Sequence, residues 1–269
     1  LKKNIVSFLI GALAVFTPGR AALAQVYLSE GKVELVMAPG ETVSGRLTVT
    51  NPSESEIRVK AYWEDFAYKP PYDGSKDFMP AGTLEDTMRE FITFSPQTFI
   101  LAPRGKRDIN YVVKAPAGFT GGRHGVLFIE KDGQTEVTSA GVRIVTRIGS
   151  LFFMESVDKN MRVDVDGFEA DSEALSMKVN NFGNTTVIPK GIYYLLGADG
   201  MVADRGEIPA VYLPRASAAA ARMPLDKGLE AGRYTAVITF DMGRQYIVVR
   251  EVDIEKTRPG IHEILAVRN

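Results

Sequence analysis

The sequence predicts an all-β chain, folded as two β-sandwich domains in tandem behind a cleaved signal peptide. Three observations carry that expectation. After Gln25 no stretch has helical period, and short β-branched and aromatic runs recur between turn signals rich in Gly, Pro and Asn. The amino terminus has the anatomy of a secretory signal. A mid-chain segment from Thr138 to Phe153 alternates, with Ala140, Val142, Ile144 and Ile148 on one parity and Arg143 and Arg147 on the other.

At the amino terminus, Lys2 and Lys3 precede an apolar run from Ile5 to Phe16, and Ala22-Leu23-Ala24 forms a small-residue cleavage site before Gln25. The apolar run is shorter than the ~20 residues a spanning helix needs. Residues 1–24 therefore read as a removed signal, and the mature chain as exported and not membrane-spanning. Without Lys2, Lys3 and Arg20, the 32 basic residues fall to 29 against 33 acidic ones, a formal charge of −4. Such a mixed, mildly acidic surface has no general attraction for nucleic acid. The chain has no cysteine, so an exported fold must hold by burial alone.

The predicted first sandwich covers residues 25–155. Its strands are Val26–Met37, ending at Pro39-Gly40; Val43–Thr50, ending at Asn51-Pro52; Ile57–Phe66; Arg107–Lys114; Val126–Glu130; and a long strand from Thr135 onward. Trp63 shares its parity with Val59 and Ala61, which marks it as core. Residues 67–90, with Pro70-Pro71-Tyr72-Asp73-Gly74, read as a long loop that contacts a partner or covers a sheet edge.

The predicted second sandwich covers residues 156–256, with strands around Leu175–Val179, Ile192–Leu196, Val211–Leu213, Tyr234–Phe240 and Gln245–Ile254. The joint falls near Glu155–Asn160, and so short a linker implies a fixed angle between the domains. Residues 257–269 form a tail, frayed or pairing as a short strand.

Catalysis is not expected. The only histidines are His124 and His262, and neither a cysteine nucleophile nor a Gly-x-Ser-x-Gly elbow is present. The acidic stretch Asp164 to Asp171 has glycine at the fourth position and Phe168 at a ligand position, so it does not read as a calcium loop. Gly121, Gly122 and Gly125 lack the lysine–serine pair of a phosphate loop. No cofactor and no metal are expected.

Three segments resemble the PapD-like periplasmic pilus chaperones. These are the Pro39-Gly40-Glu41 turn before a strand ending at Asn51, Phe94 to Gly105, and Gly122 to Phe128 with the long strand that follows. The resemblance is strongest over residues 25–155. It implies immunoglobulin-like sandwiches, a periplasmic location and protein partners: pilin-like or surface subunits, with an outer-membrane usher as a further partner. It also implies a binding mode, in which two cations in the cleft hold a subunit's terminal carboxylate. Alternating apolar residues of the long strand fill the groove left by the subunit's missing strand.

Carried onto this chain, the first cation matches Lys32 and the apolar set matches Ala140, Val142 and Ile144. Where the family has a lysine before an apolar-aromatic-aromatic sequence, this chain has Gly149-Ser150 before Leu151-Phe152-Phe153, and the nearest cation is Arg147. Similar motifs also occur in envelope-associated sandwich domains that act as non-catalytic scaffolds or adhesion modules. In that reading the same cations and alternation are structural.

Overall fold

A computed structural model describes residues 26–131, 136–137, 143–243, 246–257 and 262–269, with only the backbone for 136–137 and 143–144. The strands of the first half are β1 (Tyr27–Leu28), β2 (Lys32–Met37), β3 (Thr42–Thr50), β4 (Ile57–Tyr68), β5 (Lys76–Pro80) and β6 (Ile92–Ser95). They continue with β7 (Thr98–Leu101), β8 (Lys106–Lys114), β9 (Gly122–Lys131), β10 (Glu136–Val137), β11 (Arg143–Ile144) and β12 (Arg147–Ser156). One sheet has the order β1-β3-β8-β6. It faces a second with the order β2-β12-β9-β4-β5, in which β7 also pairs with β4.

The second half contains β13 (Val163–Ala170), β14 (Ala174–Asn181), β15 (Lys190–Gly197), β16 (Val202–Ile208), β17 (Ser217–Pro224), β18 (Gly232–Asp241), β19 (Ile247–Lys256) and β20 (His262–Arg268). Here a sheet of order β13-β14-β17 faces one of order β16-β15-β18-β19-β20. The molecule is thus all-β, with two immunoglobulin-like sandwiches in tandem.

Each sandwich has its own core, because alternate residues of facing strands turn inward. In the first, Leu47, Val59, Trp63, Ile109, Leu127, Ile129 and Phe152 are buried together. Trp63 lies there as its alternation predicts, 5.5 Å from the Phe152 ring. Gly125 is required opposite it, since a β-carbon there would meet the indole at 2.3 Å. The second core gathers Leu175, Val179, Leu195, Leu213, Ile238, Phe240 and Val252.

The first strand is shared between the sheets. Tyr27–Leu28 pairs antiparallel with β3; the chain then crosses at Ser29–Gly31, and Lys32–Met37 pairs parallel with β12. One uninterrupted strand over Val26–Met37 is thereby corrected to two.

The expected strand from Thr135 to Phe153 is likewise corrected. Glu136–Val137 and Arg143–Ile144 pair antiparallel with each other, so they belong to opposite arms of a hairpin. The long strand on the core begins only at Arg147 and runs against β9. Ala140 and Val142 lie outside the described residues, and Ile144 is described only in its backbone.

Residues 67–90 are not a plain loop. β4 continues to Tyr68 and β5 pairs back onto it. Asp65, fully buried in β4, then pins the following segment by accepting hydrogen bonds from the Leu84 amide (3.0 Å) and the Thr87 hydroxyl (2.6 Å). The region 257–269 contains a strand, β20, paired with β19.

The sandwiches meet through backbone and side chain. The Gly122 amide donates to the Asn184 carbonyl (3.1 Å), and the Tyr212 amide to the Tyr72 carbonyl (2.8 Å). The Thr185 hydroxyl donates to Glu155 (3.1 Å), and Arg215 pairs with Glu85 (2.7 Å). Contacts on both sides of the joint restrain the relative angle of the domains.

Candidate partner-binding cleft

The outer face of the β2-β12-β9-β4-β5 sheet is unusual in being apolar. A β-sheet with one solvated face alternates, but β9 reads Val126, Leu127, Phe128, Ile129, all buried. Leu127 and Ile129 enter the main core. Val126 and Phe128 turn outward into a second cluster with Phe66 and Tyr68, against which Tyr62, Leu151, Phe153 and Tyr212 pack. Phe66 lies at the centre, with ring centroids of Tyr68 at 5.6 Å, Phe153 at 5.8 Å and His124 at 4.5 Å.

Cations are laid over this aromatic layer. Lys76 sits 4.9 Å above Tyr68 and 5.9 Å from Phe66 and Tyr212, and burial pushes its ammonium group down from the ordinary lysine range. Burial also pushes the Tyr68 hydroxyl well above the ordinary tyrosine range. Arg147 stacks 3.9 Å over Phe128 and donates to Glu64 (2.7 Å) and to the Tyr62 hydroxyl (3.3 Å). Gly149, the cross-strand partner of Phe128, has no side chain because a β-carbon there would meet that ring at 2.9 Å. Lys32 lies 5.1 Å from the Phe153 ring and pairs with Glu34.

Where this face reaches the second sandwich, a pocket of about 360 Å³ opens. Lys32, Glu34, Arg123, His124, Phe153 and Glu155 line it from the first domain, and Thr185, Thr186 and Ile188 from the second. His124 forms its inner wall. One ring nitrogen is 2.9 Å from the Phe66 carbonyl and the other 3.8 Å from Asp86. Burial lowers the pKa of this imidazole, against the opposing pull of Asp86.

Of the expected site residues, Lys32 lines the pocket and Arg147 does not. The two share the outer face. However, Lys32 pairs with Leu151, and Arg147 lies four positions back along β12, about 13 Å at ~3.3 Å per residue. The backbone adds a further feature. β2 covers β12 only from Leu151 to Ser156, so among the described residues Arg147–Ser150 have no strand partner on that side.

Arg123, His124, Phe66 and Phe153 were not singled out from sequence as site residues. The unbroken apolar run Val126–Ile129 is the signal that a second buried face exists here.

No family model and no curated protein matches the sequence. Solved structures do match, and they show the fold: two sandwiches in tandem. The class 5 fimbriae chaperone CfaA superposes with a TM-score of 0.53 at 10% identity, covering 84% of this chain and 97% of that one. A chain from a chaperone–tip adhesin complex of CFA/I fimbriae biogenesis gives a TM-score of 0.53 at 11% identity, with the same coverages. The fold is that of the PapD-like fimbrial chaperones.

Proposed function

We propose that this protein is a periplasmic, non-catalytic chaperone that holds pilin-like or surface-protein subunits by strand pairing. The observation that carries the reading is the edge of β12 at Arg147–Ser150, with which no strand pairs among the described residues, next to an apolar outer face and a pocket bearing Lys32. An extended segment added at that edge would gain backbone hydrogen bonds, and its alternate side chains would set the register.

Lys32 is the proposed anchor for a carboxylate at the end of the bound segment, with Arg123 beside it in the pocket. Arg147, already committed to Glu64 and Phe128, is proposed to orient the strand edge and to contribute its field. Ala140, Val142 and Ile144 are the proposed apolar contacts that would fill the subunit's groove. An outer-membrane usher is the proposed recipient of the loaded subunit.

The test is co-expression with a surface subunit encoded beside this protein, followed by co-purification. Lys32→Ala and Ile144→Asp should each lower recovery of the subunit at least tenfold while the free protein's melting temperature is kept. Undiminished recovery with both variants would remove the reading. It would leave the envelope-scaffold alternative, in which Arg147, Glu64 and Phe128 are simply a packed surface.

A further inference from the structure

The edges of the described sheets differ in how they are protected. β16 carries Asp204, Arg205 and Glu207; β13 carries Asp164, Asp166 and Glu169 with an irregularity after Asp166; β5 carries Lys76, Asp77 and Pro80; and β2 carries Lys32 and Glu34. β17 has a run of alanines, weak strand formers, closed by Arg222 and Pro224. β1 and β6 are only 2 and 4 residues long. Charge, proline, bulges and brevity are the devices that keep sheet edges from pairing with other chains.

β20 carries only one of these along its centre, a bulge at Leu265. It presents Ile264-Leu265-Ala266-Val267 without interruption, and Leu265 and Val267 are 46% and 47% exposed. One side of β20 pairs with β19; among the described residues no strand pairs with the other.

Its charges sit at the two ends, Glu263 and Arg268, and its faces are set by a bulge. Val267 pairs with Val252 and Ile264 with Ile254, so Leu265 is the extra residue. Val252 and Ile254 belong to the core, which puts Ile264 and Val267 on the core-facing side. Glu263, opposite Glu255, and Arg268, opposite Glu251, are on the outer side.

Antiparallel pairing of two such strands about the Leu265–Ala266 bond would set Glu263 against Arg268 and Ile264 against Val267. Directly opposed residues in an antiparallel pair must share a face. The bulge shifts the phase by one residue, so both pairs satisfy that condition. Unlike charges would then be opposed, whereas within its own sheet Glu263 faces another glutamate.

We propose that β20 is a homodimerisation edge, which joins the five-stranded sheets of two copies through antiparallel β20–β20 pairing. This surface is independent of the cleft assigned to subunit binding. A single strand pair buries less than the ~1,200 Å² of a standard interface, so the association is weak.

The chain has no cysteine, which makes the register directly testable. Glu263→Cys and Arg268→Cys are prepared separately and mixed under mild oxidation, with sedimentation of the unmodified protein run to high concentration alongside. The expected result is a concentration-dependent dimer, with a disulfide-linked dimer forming much faster in the mixture than in either sample alone. Leu265→Lys/Ala266→Lys, which crowds lysines at the seam, should weaken dimerisation at least about tenfold.

Ile264→Cys mixed with Val267→Cys reads the same register if loss of Arg268 disturbs the strand. A monomer at every concentration overturns the proposal. So does a dimer whose cross-linking is no faster in either mixture, or one indifferent to the lysines.

Discussion

The strand at the middle of the larger sheet has been put to different use in the two halves of the molecule. β9, between β12 and β4, is buried on both faces from His124 to Ile129. β18, between β15 and β19, keeps the ordinary alternation: Ala236, Ile238 and Phe240 turn inward, and Thr235, Val237 and Thr239 remain half-buried on the other face. A sandwich needs only the inward face to fold. The second aromatic layer of the first sandwich is therefore surplus to the fold, and it lies where the two domains meet.

The strongest way to break that comparison is to remove the same kind of side chain from each outer face. Phe66 is fully buried in the aromatic layer, whereas Tyr194, on the outer face of β15, is 42% exposed. Phe66→Ala should cost about 3–5 kcal/mol of unfolding free energy, as for a buried aromatic. Tyr194→Ala should cost no more than ~0.5 kcal/mol, as for a surface position. Chemical denaturation of the two variants checks this. Equal costs would mean that the outer layer is a surface and not a second core.

A feature common to both halves sharpens the contrast. Asn51, just past β3, donates to the carbonyls of Ser55 (2.8 Å) and Ala102 (2.9 Å), and its side-chain oxygen accepts from the Ser53 amide (3.0 Å). Asn181, at the end of β14, donates to the carbonyls of Thr185 (2.9 Å) and Pro214 (2.9 Å) and accepts from the Gly183 amide (2.9 Å). Each asparagine ties the loop after its strand to a neighbouring one and satisfies buried carbonyls.

Replacement by Ala strands those carbonyls, so Asn51→Ala and Asn181→Ala should each cost about 1–3 kcal/mol. The two values should lie close together, because the local constructions match. A large difference would show that the halves are not built on the same plan where they look alike.

These regions also show what can be read from sequence. β3, β4, β8, β9, β14, β15, β18 and β19 were legible because alternation or apolar runs are bounded by turn residues. β13, β16 and β17 were not. The first two are rich in acidic or mixed charges, the third in alanine, and their strand state comes from pairing with neighbours. The crossing at Ser29–Gly31 hid inside a run that reads as continuous.

Within the site, the position of Lys32 was legible only through the chaperone resemblance. Asp65 anchoring Leu84 and Thr87, and Arg147 stacking on Phe128, depend on contacts between strands that local pattern does not encode. The hairpin arms carrying Glu136–Val137 and Arg143–Ile144 were merged into one strand, because an alternating sequence does not reveal where the chain reverses.

The smallest expected effect separates the halves by pH. His124 is buried against Phe66 and Phe153, with Asp86, Asp65 and Arg123 as the charged groups around it. Burial is the dominant influence and holds its folded pKa below the ordinary value of 6.5. The unfolded chain therefore binds a proton that the folded chain refuses, and stability falls as pH drops below that value. The decline continues until the folded-state pKa is reached.

Trp63 is the only tryptophan and lies in the first core, so its fluorescence follows unfolding of that half. Denaturation midpoints read from Trp63 should fall between about pH 6.5 and 5, a window above the ordinary carboxylate values. His124→Gln retains a donor for the Phe66 carbonyl but cannot titrate, and it should flatten that slope. A slope unchanged in the variant would assign the acid sensitivity to another group. The double-faced burial of β9 would then contribute nothing to how this half of the molecule responds to pH.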